Sequence, residues 1–302
     1  MAIAVRNQHQ REILRRMNLL SGKYTRYQVY CDFIIMSALS ISCSIDLLNA
    51  PARRKQLKDI FSKYSQKEIA IFDEMFAQVV EGLEREPEQD FLGELFMMCE
   101  FGNDAGGQFF TPYSVCRAMA SISINDDLED IIEKKGFVVC GDCACGAGAT
   151  LIAFANECKR KKINYQQKIL FIAQDIDYLT ACQCYIQMSL LGMPGYVCVD
   201  DSLIHPCTAW DDRSLLPRKP ENCFFTPMFF STIWTGRKVI ARIGLWEKSA
   251  RGNASDNPGD LTEPIAEPVT EERVESADSP QEKPRAARKK KPKYEMEQLS
   301  LF

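Results

Sequence analysis

The stretch from Gly136 to Glu157 constrains this chain more than any other. Gly136-Phe137-Val138-Val139-Cys140-Gly141 is an apolar run of strand length. Asp142-Cys143-Ala144-Cys145-Gly146-Ala147-Gly148-Ala149 is a turn of small residues, and Thr150 to Glu157 reads as a helix start. Strand, glycine turn and helix in that order bring backbone N–H groups close to a bound cofactor, and glycine is needed where a Cβ would block the approach. The same residues also suit an ordinary tight βα turn, because a lone Gly-x-Gly is a weak signal. A nicotinamide dehydrogenase fits less well, since Leu151 stands where the third glycine of that fingerprint belongs.

A second acid narrows the choice. Lys168-Ile169-Leu170-Phe171-Ile172-Ala173-Gln174-Asp175-Ile176-Asp177 reads as a buried strand ending in carboxylates, and Asp175 follows Gly148 at the spacing where a second strand delivers an acid to a ribose. A single acid at a solvated strand end is also common. Thr180 to Leu191 is a helical segment closed by Gly192. Tyr196 to Val199 is a third strand, followed by Asp200-Asp201-Ser202-Leu203. A fourth short strand fits Asn222 to Phe230, and Ser231 to Gly244 suits either a closing helix or a strand.

Upstream, residues 1–100 read as helical. Arg11 to Leu20 is amphipathic. Tyr24 to Leu48 is a long apolar segment ended by Asn49, Ala50 and Pro51; Gln56 to Tyr64, Lys67 to Arg85 and Phe91 to Cys99 continue the helical period. The run Phe33 to Cys43 is too short to cross a bilayer and follows Asp32, which predicts a buried helix and no membrane span. In Gly106-Gly107-Gln108-Phe109-Phe110-Thr111-Pro112, Thr111 suits a cap and Pro112 a first turn, with a helix over Tyr113 to Ser123. Phe109 and Phe110 there suit either a core or a cofactor wall.

Net charge is −4, so global charge does not announce nucleic-acid binding, although Lys283 to Lys293 holds seven basic residues in eleven. The 13 cysteines are odd in number and most lie in apolar segments, which predicts reduced, buried thiols in a cytoplasmic protein. Cys140-x-x-Cys143 and Cys182-x-Cys184 lack the two turn-borne pairs of a structural zinc site, so no metal is expected. Ser249 to Lys293 is rich in Pro, Glu, Ala, Lys and Arg without aromatics, and such a composition predicts disorder.

Together these motifs resemble the adenine-N6 DNA methyltransferases, in particular the modification subunits of type I restriction systems, over about Tyr24 to Phe230. Gly107 to Pro112 resembles the family's segment before the cofactor strand, Asp142 to Gly148 its cofactor turn, with Cys143 where proline is usual, Ala173 to Asp177 its ribose-binding strand end, and Asp201-Ser202-Leu203 its acidic segment beside the cofactor's adenine. The resemblance implies an α/β fold: a Rossmann-like S-adenosylmethionine-dependent methyltransferase sheet over 101–247, with an N-terminal helical region over 1–100 and a disordered charged tail over 248–302. It implies S-adenosyl-L-methionine held by Phe109, Thr111, Asp142, Ala144, Gly146, Gly148, Asp175 and Asp201. It also implies methylation of adenine in DNA, with a specificity subunit as a candidate partner.

The family's Asn-Pro-Pro-aromatic motif after the fourth strand is replaced here by Thr226-Pro227-Met228-Phe229. In the family the amide oxygen and the first proline's carbonyl accept hydrogen bonds from the target amine, and the aromatic stacks on the flipped base. Thr226, Pro227 and Phe229 are therefore the expected base-facing residues. The alternative is a catalytically inactive, DNA-associated module. Finally, Gln298-Leu299-Ser300-Leu301-Phe302 resembles the pentapeptide with which bacterial replication and repair proteins bind the sliding clamp. Gln298, Leu299, Leu301 and Phe302 are its candidate contact residues, in a bacterial or bacteriophage setting.

Overall fold

A computed structural model describes residues 7–99, 110–124 and 127–250. Phe109, the rest of the segment before Phe110, the charged tail beyond Ala250 and the terminal Gln298 to Phe302 lie outside the described residues. Residues up to Trp246 form one compact unit, with 247–302 as a second.

The first hundred residues fold as α1 (Gln8–Leu20), α2 (Arg26–Ile45), α3 (Ala50–Phe61), α4 (Gln66–Arg85) and α5 (Phe91–Met98). Local chemistry starts them. Asn7 and Thr25 cap α1 and α2 through side-chain oxygens, Ser65 and Glu68 form a reciprocal capping box on α4, and Asp90 caps α5 by accepting from Gly93 N at 3.0 Å. Helix α2 ends before Asn49-Ala50-Pro51, as expected, and that stretch also opens α3. Proline is tolerated in a first turn, where its missing N–H has no partner to lose.

Helix α2 is long and apolar enough to cross a membrane, yet 61% of that stretch is buried inside the fold. Its Asp32 pairs with Lys63 and accepts from Tyr64 Oη at 2.7 Å. It is a core helix. Downstream come α6 (Tyr113–Ser123), as the sequence predicts, and α7 (Asp127–Lys135). Pro112 takes the cap position of α6, with no side-chain cap bond, so Thr111 does not cap it.

The sheet contains β1 (Val138–Asp142), β2 (Ile169–Asp175), β3 (Gly195–Val199) and β4 (Cys223–Phe225), in spatial order β1-β2-β3-β4. The first three are parallel, connected by α8 (Ala149–Arg160) with the short α9 (Tyr165–Lys168), and by α10 (Tyr178–Leu190). Strand β4 is antiparallel to β3, pairing Tyr196 with Phe225 and Cys198 with Cys223. The fold is mixed α/β. Among the described residues the strand order contains no reversal, and so lacks the switch point of a doubly wound sheet. The expected fourth strand is short because Pro227 cannot donate to a ladder and 227–230 turns into a 3₁₀ helix. The segment left open between helix and strand is α11 (Thr232–Ala250).

One face of the sheet packs Phe171, Ala173, Val197 and Phe224 into a core shared with Ile13, Phe33 and Leu95 of the N-terminal helices. The other face buries Leu170, Tyr196, Cys223, Phe225 and Phe229 against Trp234 of α11. The helical region is therefore part of the sheet's own core. Arg53 locks the two together. Its guanidinium donates to Asp46 Oδ2 at 2.7 Å and to Cys223 O at 2.7 Å, and it lies over the Phe224 ring at 4.3 Å. Nothing exposes it to solvent, so each of those partners offsets the cost of burying its charge.

Candidate functional site

The carboxyl ends of β1, β2 and β3 meet at one edge of the sheet. The glycine turn after β1 is pinned there by its own backbone. Gly146 adopts φ +54° and Gly148 φ +96°, conformations that L side chains rarely take. A Cβ on Gly148 would stand 2.9 Å from Cys184 Sγ, and one on Gly146 3.1 Å from the Phe110 ring. Both positions thus favour glycine by conformation, and Gly148 by space as well. Phe110 is half-buried and packs edge-on to Phe96, so this member of the aromatic pair serves the core.

Acids organise the turn. Asp142, at the end of β1, accepts from Ala144 N at 3.1 Å and from the Thr150 hydroxyl. Asp175, at the end of β2, accepts from Gly146 N at 2.9 Å through Oδ2 and from Asp177 N at 2.9 Å through Oδ1. Burial pushes the Asp175 carboxyl above its ordinary value, against those two donors. Cys145 N donates to Gln174 O at 3.0 Å, and Asp200 N donates to Asp175 O at 3.2 Å. Asp142, Ala144, Gly146, Gly148 and Asp175 are thereby brought together, with the β3 end alongside. Asp201 follows in a turn of its own, accepting from Leu203 N at 2.8 Å.

Three further side chains join them, of which only Leu203 lies in a segment expected beside the cofactor's adenine. Ile176 is 66% exposed between two carboxylates, and Leu203 is 93% exposed on the neighbouring turn. The available signal was an apolar residue between acids, Asp175-Ile176-Asp177, where the chain should turn polar. The third is Gln187 of α10, fully buried behind the turn. Its amide donates to Ala147 O and to Asp90 Oδ1, each at 2.8 Å, and accepts from Leu92 N at 3.1 Å. No periodicity announces that role, because it depends on three segments meeting. Asp90 is fully enclosed by this contact, and burial pushes its carboxyl up to about 6.

Thr226, Pro227 and Phe229 are placed elsewhere. In the parallel register Asp175 lies beside Val199, whereas Thr226 N bonds Gly195 O at the start of β3. Four residues along β3 and two strands across amount to ~13 Å and ~10 Å, or on the order of 16 Å from the acid. The Thr226 hydroxyl is buried, donating to Met193 O at 2.7 Å and accepting from Gly195 N at 3.0 Å. Phe229 is 2% exposed and stacked on Phe225 at 5.8 Å. Pro227 is exposed but sits at the same far end. The expectation that these residues face a target base is corrected by the antiparallel course of β4, which carries the chain away from the carboxyl edge.

Comparison with curated proteins and with solved structures returned no match. The N-6 DNA methylase family model matches residues 88–239, half of the chain, and spans Asp90, the glycine turn, Asp175 and Asp201. On that match the chain belongs to the N-6 DNA methylase family.

Proposed function

We propose that this chain binds S-adenosylmethionine at the carboxyl edge of its sheet and serves methylation of adenine N6 in DNA. The observation that carries this reading is the Gly146–Asp175 bond, which closes the glycine turn of β1 onto the acid of β2. The residues suit such a ligand. Two left-handed glycines hold the turn in a conformation that L side chains rarely take, packed against Phe110 and Cys184. Each Asp175 oxygen accepts one N–H here, and a carboxylate oxygen has a second lone pair free for a ribose hydroxyl. Asp142 and Ala144 would shape the pocket for the amino-acid end, with Thr111 completing it. Asp201 would accept from the adenine amine, and Ile176 and Leu203 would supply the apolar faces that an adenine ring needs.

When bound, S-adenosylmethionine supplies an electrophilic methyl group. Transfer to an exocyclic amine then requires acceptors within hydrogen-bond reach of that amine. Thr226 is too distant and already committed. This favours a second reading, in which the chain is the cofactor-binding partner of a larger assembly. A companion chain, such as a specificity subunit, would then bring target recognition and the transfer residues, and the Gln298 to Phe302 peptide would tether the assembly to a sliding clamp.

Titration calorimetry with S-adenosylhomocysteine tests the cofactor assignment. Wild-type protein should bind, and Asp175→Ala should weaken binding by about 1–3 kcal/mol, the scale for a hydrogen bond to a charged group. No binding at millimolar ligand overturns it. Labelled methyl transfer to mixed-sequence DNA by the chain alone distinguishes the two readings.

A further inference from the structure

We propose that Cys198 and Cys207 form a peroxide-sensitive thiol pair, a modification site in which Cys207 is oxidised first and Cys198 resolves it as a disulfide. The site lies on the face of the sheet opposite α8 and α10, at the edge of a cavity of about 280 Å³ lined by Gln174, Asp200, His205 and Lys219. Three cysteines converge on it. Cys198 of β3 and Cys223 of β4 are register partners, so their side chains share one face. The segment after β3 then curls over them, because Gln174 holds it at three points: its amide donates to Asp200 O at 3.2 Å and His205 O at 2.8 Å, and accepts from Cys207 N at 2.8 Å. The result sets Cys207 Sγ 3.2 Å from Cys198 Sγ.

The division of labour follows from exposure and charge. All three line the cavity, but Cys198 and Cys223 are buried whereas Cys207 is half-buried, so peroxide reaches Cys207 first. The neighbouring thiols, that of Cys198 and then that of Cys223, hold the Cys207 thiol below its ordinary value, and the thiolate is the reactive form. Other clustered thiols lack this combination: Cys145 and Cys184 are both buried, and Cys143 is exposed within the glycine turn.

The chemistry balances. The Cys207 thiolate attacks one peroxide oxygen, the O–O bond breaks, and the departing hydroxide takes a proton to leave water and a Cys207 sulfenic acid. Cys198 sulfur then attacks Cys207 sulfur, its proton leaves with the displaced hydroxide as a second water, and an S–S bond forms. The pair loses two electrons, which reduce the peroxide. The sulfurs must approach by about 1.2 Å to reach a bond length of about 2.05 Å, a small adjustment for a segment at the surface. Oxidation would close a ring around Asp200 and Asp201 and fix that turn to β3. The site stands independently of any cofactor reading.

The test uses the full chain, treated with a few equivalents of hydrogen peroxide, quenched with N-ethylmaleimide and measured by intact mass without reductant. Cleavage on the amino side of aspartates separates Cys198 from Cys207, because Asp200 and Asp201 lie between them. The expected product is a loss of about 2 Da that dithiothreitol reverses, with the Cys198 and Cys207 peptides joined. Cys198→Ser should leave a sulfenic acid at Cys207 that dimedone traps, and Cys143→Ser should leave the cross-link unchanged. The proposal is overturned if wild-type protein gives no Cys198–Cys207 cross-link while Cys143 oxidises. It is equally overturned if Cys223 takes the place of either partner, or if dimedone labels a cysteine other than Cys207 in folded Cys198→Ser protein.

Discussion

Replacing Thr226 by valine separates the structural from the catalytic account of this residue. The substitution keeps the branched shape and removes only the hydroxyl. That hydroxyl satisfies two buried backbone groups, Met193 O and Gly195 N, where the chain turns from α10 into β3. Thr226 is fully buried, so water cannot replace the lost partner. An unsatisfied buried polar group costs about 1–3 kcal/mol, and two of them sharing one site place the loss at about 3 kcal/mol. For a unit of roughly 150–250 residues each kcal/mol shifts the melting temperature by about 2–4 °C, which gives a drop of about 6–12 °C. Thr226→Ser keeps both bonds and loses one methyl group, so it should cost only about 1 kcal/mol. Exposed Thr235→Val is the control and should stay within about 0.5 kcal/mol of wild type. The assay is thermal unfolding followed by circular dichroism, with S-adenosylhomocysteine affinity measured below the transition. Affinity should be unchanged in folded Thr226→Val protein. The reasoning is refuted if Thr226→Val melts within about 2 °C of wild type while methyl transfer by the chain collapses.

Other perturbations probe the remaining parts. Gly148→Ala forces an L residue to φ +96° and its Cβ into Cys184; it should destabilise the unit by about 1–3 kcal/mol and abolish cofactor binding in calorimetry. Asp90 has a folded-state value near 6, above the unfolded value near 3.9. The folded protein therefore holds the extra proton between pH 4 and 6, and this residue's contribution to stability falls as pH rises through that window, by up to about 3 kcal/mol, then levels off. Comparing urea midpoints of wild type and Asp90→Asn at pH 4.5 and pH 7 should show the variant gaining relative to wild type at the higher pH; an equal gap at both refutes the assignment. Arg53→Ala leaves buried Asp46 without its cation and should cost about 3–5 kcal/mol in urea unfolding. Truncation after Glu297 should abolish capture of the chain by a purified bacterial sliding clamp, and equal capture of both forms would remove the tether from the proposal.

The sequence made some of this architecture readable and hid the rest for identifiable reasons. The strand–turn–helix around Gly146 and Gly148 was legible because left-handed backbone and close packing both favour glycine there. Helix α6 was legible to the residue through Thr111-Pro112, although the cap itself fell to Pro112. The direction of β4 was not legible. Cys223-Phe224-Phe225 has the apolar character of a strand, but a three-residue run carries no mark of parallel or antiparallel pairing. A tetrapeptide at the expected distance along the chain therefore arrives at the wrong end of the sheet. Helix α11 was ambiguous for a different reason. Trp234 is buried, while Ile240, Ile243 and Trp246 are exposed, so its apolar residues do not trace a single buried stripe. Gln187 and Asp90 were invisible because polar residues in apolar helices reveal a purpose only when their partners are in view.

The Gln187 amide has a consequence for how this protein can be taken apart. It ties the carbonyl of Ala147 in the glycine turn to the start of α5, through Asp90 and Leu92 N, so the helical layer and the turn share one fastening. The methyltransferase sheet is thus not a cassette that can be excised at residue 100 or grafted onto another lead-in. Removing α5 with its Asp90 cap would strip the buried Gln187 amide of two of its three partners directly behind the turn. The same fastening is a line of communication. A ligand that stills the turn must also slow the opening of the first turn of α5, and amide hydrogen exchange at Leu92 and Gly93 would register that occupancy from the far side of α10.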